Sequence, residues 1–434
     1  MSTSTTTAEA PDLARENAVF RKVVLRIVPF LVLCYVFSYL DRVNVGFAKL
    51  QMSDDLGLSE AAYGLGAGLF FIGYFLFEVP SNLMLQRIGA RTWIARIMIT
   101  WGLVSGAFMF VTNEATFYVL RFLLGAAEAG FYPGVILYCT YWFPSHRRAR
   151  VIAMFMSAIP VAGIFGNPLS GWIMDTFDGT NGWHGWQWMF LLEAIPALLI
   201  GVATLFYLDN GVRSAKWLTD EEKDVVEAAI AKDTAHQKHG KVWDGFRDPK
   251  VWLMCLIYFC FVMGQYALTF WMPTFVESTG IDDTLTIGVL SAVPFVAALI
   301  AMNLFGRSAD KRRERRWHLV IPSLMGALGF SLAAAWSGST VLSLVALSFA
   351  AAGVLTCAPL FWSLPTAFLG GTAAAAGLAV INSVGNLAGF VSPYMIGALK
   401  DSTGSTSIPM YVLALSLVVG AAAVLTTKKQ VVNR

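Results

Sequence analysis

Long apolar runs separated by short polar ones fill this chain. Twelve such runs, each of about twenty residues, are centred near residues 35, 73, 102, 129, 161, 198, 263, 295, 327, 353, 386 and 418. About twenty apolar residues in a helix suffice to cross the hydrocarbon core of a bilayer. Lipid offers no partners to backbone polar groups, so such runs read as helices. The pattern predicts an all-α membrane protein with twelve transmembrane helices. One long polar segment divides it. The expected organisation is a polar N-terminus at 1–22, a six-helix bundle at 23–208, a charged linker at 209–249, a second six-helix bundle at 250–427 and a tail at 428–434. In the linker, Thr219-Asp-Glu-Glu222 has capping-box spacing, and Asp224 to Lys232 are expected to continue from it as a short surface helix. About 40 residues cannot build a core of their own, so the linker reads as a tether or brace.

The halves echo each other. The loop after the second run, Gln86-Arg87-Ile88-Gly89-Ala90-Arg91, and the loop after the eighth, Gly306 to Arg315, are both basic. The fifth run carries Gly163, Gly166, Asn167, Pro168 and Gly171; the eleventh carries Gly385, Asn386, Gly389, Pro393 and Gly397. Small residues let helices approach and proline bends them. Twofold repetition around a central site is the architecture of alternating-access transporters.

Composition agrees with a membrane protein: 56% of the 434 residues are hydrophobic and 14% charged, against about 25% charged in soluble domains. Charge also orients the chain. Of 31 Lys and Arg residues, 27 fall at the two termini or in the loops on their side of the membrane. Lys49 and Lys400 fall on the opposite side, and Arg42 and Arg121 within runs. Positive charge accumulates on the cytoplasmic side, so both termini are expected there. No cleavable signal is read at the N-terminus. The five cysteines all sit in apolar runs with no zinc or redox spacing, and read as packing residues. No metal site, cofactor or nucleic-acid footprint is expected, and no zincin, P-loop or nucleophile-elbow motif points to an enzyme.

Asp41 and Arg42 in the first run, and Arg121 and Glu128 in the fourth, interrupt this apolar pattern. An Asp or Arg at a helix centre costs roughly 2.5–3.5 kcal/mol on insertion scales. Such residues must face a polar interior or pair with one another. Arg121 and Glu128 are two helical turns apart, on one face, about 10 Å from each other. The residues alone leave open whether the four form a ligand pathway or a structural salt-bridge network. For an anion, Arg offers fixed charge and a bidentate fork. Arg42 is the preferred anion partner, with Arg121 expected to be held by Glu128 or Asp41 when the site is empty. All five His residues lie in loops or at run ends, so Glu128, then Asp41, is the candidate proton carrier.

Other polar or aromatic residues within the runs extend the candidate site: Tyr39, Tyr74, Tyr266, Trp362, Ser363, Asn382 and Asn386. Glu78, about two turns from Arg87, reads as a gate or structural pair, and Asp310 belongs to the basic loop after the eighth run.

Tyr39-x-Asp41-Arg42-x-Asn44, Arg121-x-x-x-Gly125-x-x-Glu128-x-x-x-x-Pro133 and Gly306-x-x-x-Asp310-Lys311 together resemble the major facilitator superfamily. The first two look like its anion:cation symporter family. Phe77 to Asn82 and Tyr141-Trp142-Phe143-Pro144 resemble the bacterial carboxylate-transporting branch. Gln86 departs from the loop motif, standing where an acidic residue would be. The resemblance implies two pseudo-symmetric bundles, a small organic anion and protons as transported species, and acidic residues of the first and fourth spans as coupling groups. It also implies a monomer in the bacterial inner membrane. An anion exchanger or uniporter, and a membrane sensor that binds the anion without moving it, are the rival readings.

The charge bias makes a direct prediction. Reporter fusions at residue 434 and near Asp54 should give opposite readouts, cytoplasmic and external. Matching readouts would rule out twelve spans in this orientation.

Overall fold

The computed structural model describes residues 9–234, 249–368, 373–427 and 429. Residues 1–8, linker residues 235–248 and all of the tail but Lys429 lie outside the described residues. The described chain is helical with no strand. Among the described residues, eleven helical stretches are long and apolar enough to cross a membrane. The twelfth expected span, around residue 386, is two shorter helices, α15 (Ala373–Asn386) and α16 (Ala388–Thr403), meeting at Leu387.

Helix packing within one half repeats in the other. The first six spans use α1 (Glu9–Leu56), α2 (Glu60–Ile88), α3 (Ala90–Ala107), the pair α4 (Glu114–Glu128) and α5 (Phe131–Thr140), the pair α6 (Ser145–Met156) and α7 (Ala158–Phe177), and α8 (Gly185–Tyr207). In this half α1 packs on α7 and α8, α3 on α8, and α2 on α4. The second half, after the linker helix α9 (Asp220–Thr234), uses α10 (Pro249–Glu277), α11 (Thr284–Arg312), α12 (Trp317–Ala335), the pair α13 (Thr340–Phe361) and α14 (Ser363–Phe368), α15 with α16, and α17 (Ser407–Leu425). There α10 packs on α15, α16 and α17, α12 on α17, and α11 on α13. The halves meet where α2 lies on α16 and α7 on α11, a relation that maps onto itself when the halves are exchanged.

Four spans are interrupted, and proline accounts for three of the interruptions. Gly130, Ser157 and Trp362 each stand three residues before a proline, Pro133, Pro160 and Pro365. A proline there cannot donate the backbone bond that would carry the preceding turn onward. The first break is the sharpest, with Gly130 left-handed at φ 85°. It ends α4 at Glu128, so this carboxylate sits at a helix terminus inside the bundle.

One feature differs from the sequence reading. The first helix does not begin near residue 23 but is continuous from Glu9. Its polar turns are held from the side: Arg15 pairs with Glu221, Lys22 with Glu222 at 2.8 Å, and Arg147 bonds Glu16 at 3.0 Å and Asn17 at 2.7 Å. The linker helix begins at Asp220, directly after Thr219, as the capping-box spacing predicts. It is opened by the reciprocal Thr219 and Glu222 bonds at 2.9 and 3.3 Å, and Lys22 holds the Glu222 carboxyl below its usual range.

The halves are drawn together at the end that carries Lys49. Glu60 pairs with Lys49 at 2.9 Å and with Lys400 at 2.5 Å. Asp401 accepts from the backbone N–H groups of Glu60 and Ala61, capping α2 from the other half. Tyr63 donates to the Phe270 carbonyl at 3.0 Å.

Close packing inside the first half depends on glycine. A Cβ on Gly125 would lie 1.9 Å from the Phe70 carbonyl oxygen, so α2 and α4 touch backbone to backbone there. Gly125→Ala should lower the melting temperature of the detergent-purified protein, because overpacking of this kind costs roughly 1–3 kcal/mol. Gly338→Ala, where a Cβ meets nothing within 4 Å, should leave it unchanged. Equal melting temperatures for the two variants would refute this account of the α2–α4 contact.

Candidate functional site

Successive residues on α1 point about 100° apart, and Asp41 and Arg42 accordingly serve different neighbourhoods. Arg42 turns toward α4 and its Nη2 pairs with Oε1 of Glu128. Ser38, one turn back along α1, donates to the same Oε1 at 2.9 Å. The pair is buried, with side chains 8% and 3% exposed, so it is shielded from bulk water. The guanidinium lies 5.1 Å from the Phe70 ring centre, 5.7 Å from Tyr39 and 5.9 Å from Tyr74. Among the described residues its Nε has no hydrogen-bond partner.

Arg121 is not held by Glu128 or Asp41, contrary to the expectation from the sequence. Glu128 is taken by Arg42, and Arg121 donates to two backbone carbonyls of α2, Gly66 at 3.3 Å and Ala67 at 3.2 Å. It also lies 5.3 Å from the Phe70 ring and 5.5 Å from Phe270. Phe70 thus contacts both guanidinium groups. Aromatic rings attract cations, so the arrangement eases the burial of two like charges.

Asp41 faces α3 and α8. Its Oδ2 accepts from the Trp101 indole N–H at 2.9 Å. Glu193 of α8, also buried, accepts from Ser170 at 2.6 Å. Sequence reading passed over Glu193, although it is a lone carboxylate between Leu192 and Ala194 in an apolar run. The cost argument applied to Asp41 picks it out equally well.

The second half contributes hydroxyl and aromatic groups. Thr269 donates to the Gln265 carbonyl at 2.9 Å, so Tyr39 donates to Thr269 at 2.8 Å and bridges the halves. Tyr266 lies 4.3 Å from the Phe71 ring. Ser38, Phe70, Gln265 and Thr269 carry no signal in the sequence that distinguishes them from packing residues. Trp362 stands 5.0 Å from Tyr258, and Ser363 turns back to the Leu360 carbonyl at 2.7 Å. Asn382 donates to Glu78 at 3.3 Å. Asn386 is half-buried one turn further along α15.

The peripheral candidates are placed apart. Glu78 is not paired with Arg87: Asn382 reaches it across the halves, and Arg87 is exposed. Asp310, also exposed, pairs with Arg315 at 2.6 Å. The interior therefore brings together Arg42, Glu128, Tyr39 and Tyr74, with Arg121 behind Phe70 and Asp41 on another face of α1.

Comparison with other proteins agrees with this architecture. Residues 31–393 match the Major Facilitator Superfamily. A protein of Pseudomonas putida described as the putative metabolite transport protein NicT is 50% identical over 420 residues, covering 96% of each chain. A putative tartrate transporter of Agrobacterium vitis is 49% identical over 408 residues, covering 94% of each. A crystal structure of a D-xylose-proton symporter superposes with a TM-score of 0.74 at 16% identity, over 94% of this chain and 98% of that one. The chain is a multi-pass membrane transporter rather than an enzyme, and it belongs to the major facilitator superfamily.

Proposed function

We propose that this transporter imports a small organic anion together with protons by alternating access. The buried Arg42–Glu128 pair carries the reading. While Glu128 is ionised it occupies Arg42. A proton on Glu128 removes that competitor and leaves the guanidinium an uncompensated buried cation, a costly state. A substrate carboxylate then takes the vacated place, with the planar fork suited to it. Proton and anion thereby favour each other's binding, which is the coupling a symporter needs. Tyr39, Tyr74 and Tyr266 supply hydroxyls near the guanidinium, and Trp362, Ser363, Asn382 and Asn386 are candidate contacts from the second half. Arg121 adds positive field from behind Phe70.

A hydroxy acid, sugar acid or aromatic acid fits one guanidinium with surrounding hydroxyls and rings, and the tartrate description of a relative supports that class. The 27 basic residues of one face support a cell-membrane protein with both termini cytoplasmic. In that orientation the Lys49–Glu60–Lys400 cluster closes the outer side.

A thermal-shift screen of tartrate, sugar acids, aromatic acids and diacids selects the anion for the following tests. Reconstituted Glu128→Gln should lose accumulation driven by an inward proton gradient yet keep counterflow of anion against anion. Gln resembles protonated Glu but has no proton to release. Gradient-driven accumulation by this variant would make Glu128 structural, and wild-type uptake indifferent to the pH gradient would favour exchange or uniport.

Arg42→Lys should insert normally and weaken anion binding at least tenfold, about 1.4 kcal/mol, because the ammonium keeps charge but lacks the fork. Arg42→Ala binding the anion as tightly as the wild type would remove Arg42 from the site.

A further inference from the structure

Near its N-terminal end α1 carries a basic stripe that faces outward. Arg21, Lys22 and Arg26, with Ala18 and Leu25, line an open groove against Tyr207, the last residue of α8. Residues three or four apart share a helix face, so the stripe is continuous. The groove has a fixed wall. The Arg26 guanidinium lies 3.9 Å from the Tyr207 ring centre, and the Tyr207 hydroxyl donates to the Arg26 carbonyl at 3.0 Å. Phe30 stacks on the same ring at 4.3 Å.

The charges of the groove are only partly matched. Lys22 is held by Glu222 at 2.8 Å. Among the described residues neither Arg21 nor Arg26 forms an ion pair, and the Arg26 Nε has no hydrogen-bond partner. Arg21 and Arg26 therefore leave a surplus of fixed positive charge.

The groove also lies at the depth of lipid headgroups. Ile195, Leu199, Val202 and Phe206 of α8 are exposed and fall on one face, a stripe that suits lipid chains. The stripe ends at Phe206, beside Tyr207, and Leu25, 64% exposed, adds apolar surface from α1. Arg26 and Lys49 stand about 34 Å apart along α1, against about 30 Å of hydrocarbon. Each thus sits at one border of the membrane.

We propose that this groove between α1 and α8 binds an anionic phospholipid, with its phosphate between Arg21 and Arg26 and an acyl chain along Leu25 and Phe206. The guanidinium fork suits phosphate oxygens, and basic pockets between spanning helices favour anionic headgroups. A free phosphate gains the charge but not the apolar contact, so the lipid is the better occupant. In the orientation proposed above it belongs to the inner leaflet. Seated there, it ties α1, the helix of Arg42, to α8 at the membrane surface. The site does not depend on the symport reading.

The test uses the purified full chain in phosphatidylcholine-containing detergent micelles, titrated with phosphatidylglycerol while the melting temperature is followed. Phosphatidylglycerol should raise it, and an equal addition of phosphatidylcholine should not. Arg21→Gln and Arg26→Gln should each require about fivefold more phosphatidylglycerol for half the rise, the effect of one cation at a membrane surface. Arg21 is exposed and unpaired, so its variant folds and carries the test if Arg26→Gln does not. Arg312→Gln, an exposed cation of α11 in the other half, should titrate as the wild type. The site is overturned if phosphatidylcholine stabilises equally, if Arg21→Gln titrates as the wild type, or if Arg312→Gln loses as much as Arg21→Gln. A rise reproduced by inorganic phosphate alone would also overturn it, because the groove would then hold a free anion.

Discussion

The contact between Arg42 and Glu128 can exist only because lipid leaves a charge no alternative. In water an exposed pair of this kind is worth little, since each ion is well solvated apart. Inside the bundle each ion without the other is an uncompensated buried charge. The surrounding structure serves that requirement. The proline-linked break after α4 delivers Glu128 at a helix end, Ser38 adds a hydrogen bond, and Phe70 stands against both guanidinium groups. Arg121, lacking a carboxylate, is satisfied by carbonyls of α2, whose close approach Gly125 permits.

The interrupted spans show how one backbone device is used in both halves. Breaks before Pro133 and Pro365 occupy corresponding places in the fourth and tenth spans, and those at Ser157 and Leu387 correspond in the fifth and eleventh. Broken helices are tolerated in a membrane where the freed backbone groups face protein or a cavity. Three of the breaks adjoin candidate site residues: Glu128 in the first half, Trp362, Ser363 and Asn386 in the second.

Most of the fold was legible because lipid simplifies the code: helices must be about twenty apolar residues long, and charge must be explained. That rule found Asp41, Arg42, Arg121 and Glu128. It did not give their partners, because pairing depends on which face of each helix meets which neighbour. Adjacent Asp41 and Arg42 separate to different faces of α1, and Glu128 goes to Arg42 rather than to Arg121 on its own helix. The same rule applies to Glu193, a lone carboxylate in the sixth apolar run. The long first helix was hidden for a different reason. Its polar turns are fixed by ion pairs to Glu221, Glu222 and Arg147, contacts between distant parts of the chain that no local pattern encodes.

A single carboxylate opposite Arg42 also has an electrical meaning. Under the proposed exchange of partners, Glu128 loses its negative charge as a monocarboxylate brings one in. The empty and loaded interiors then carry the same net charge at this pair. The membrane voltage, worth about 2.3 kcal/mol per elementary charge per 100 mV, would have little grip on the rocking step at this pair in either state. A dicarboxylate would bring one charge more, and its movement would be felt as current.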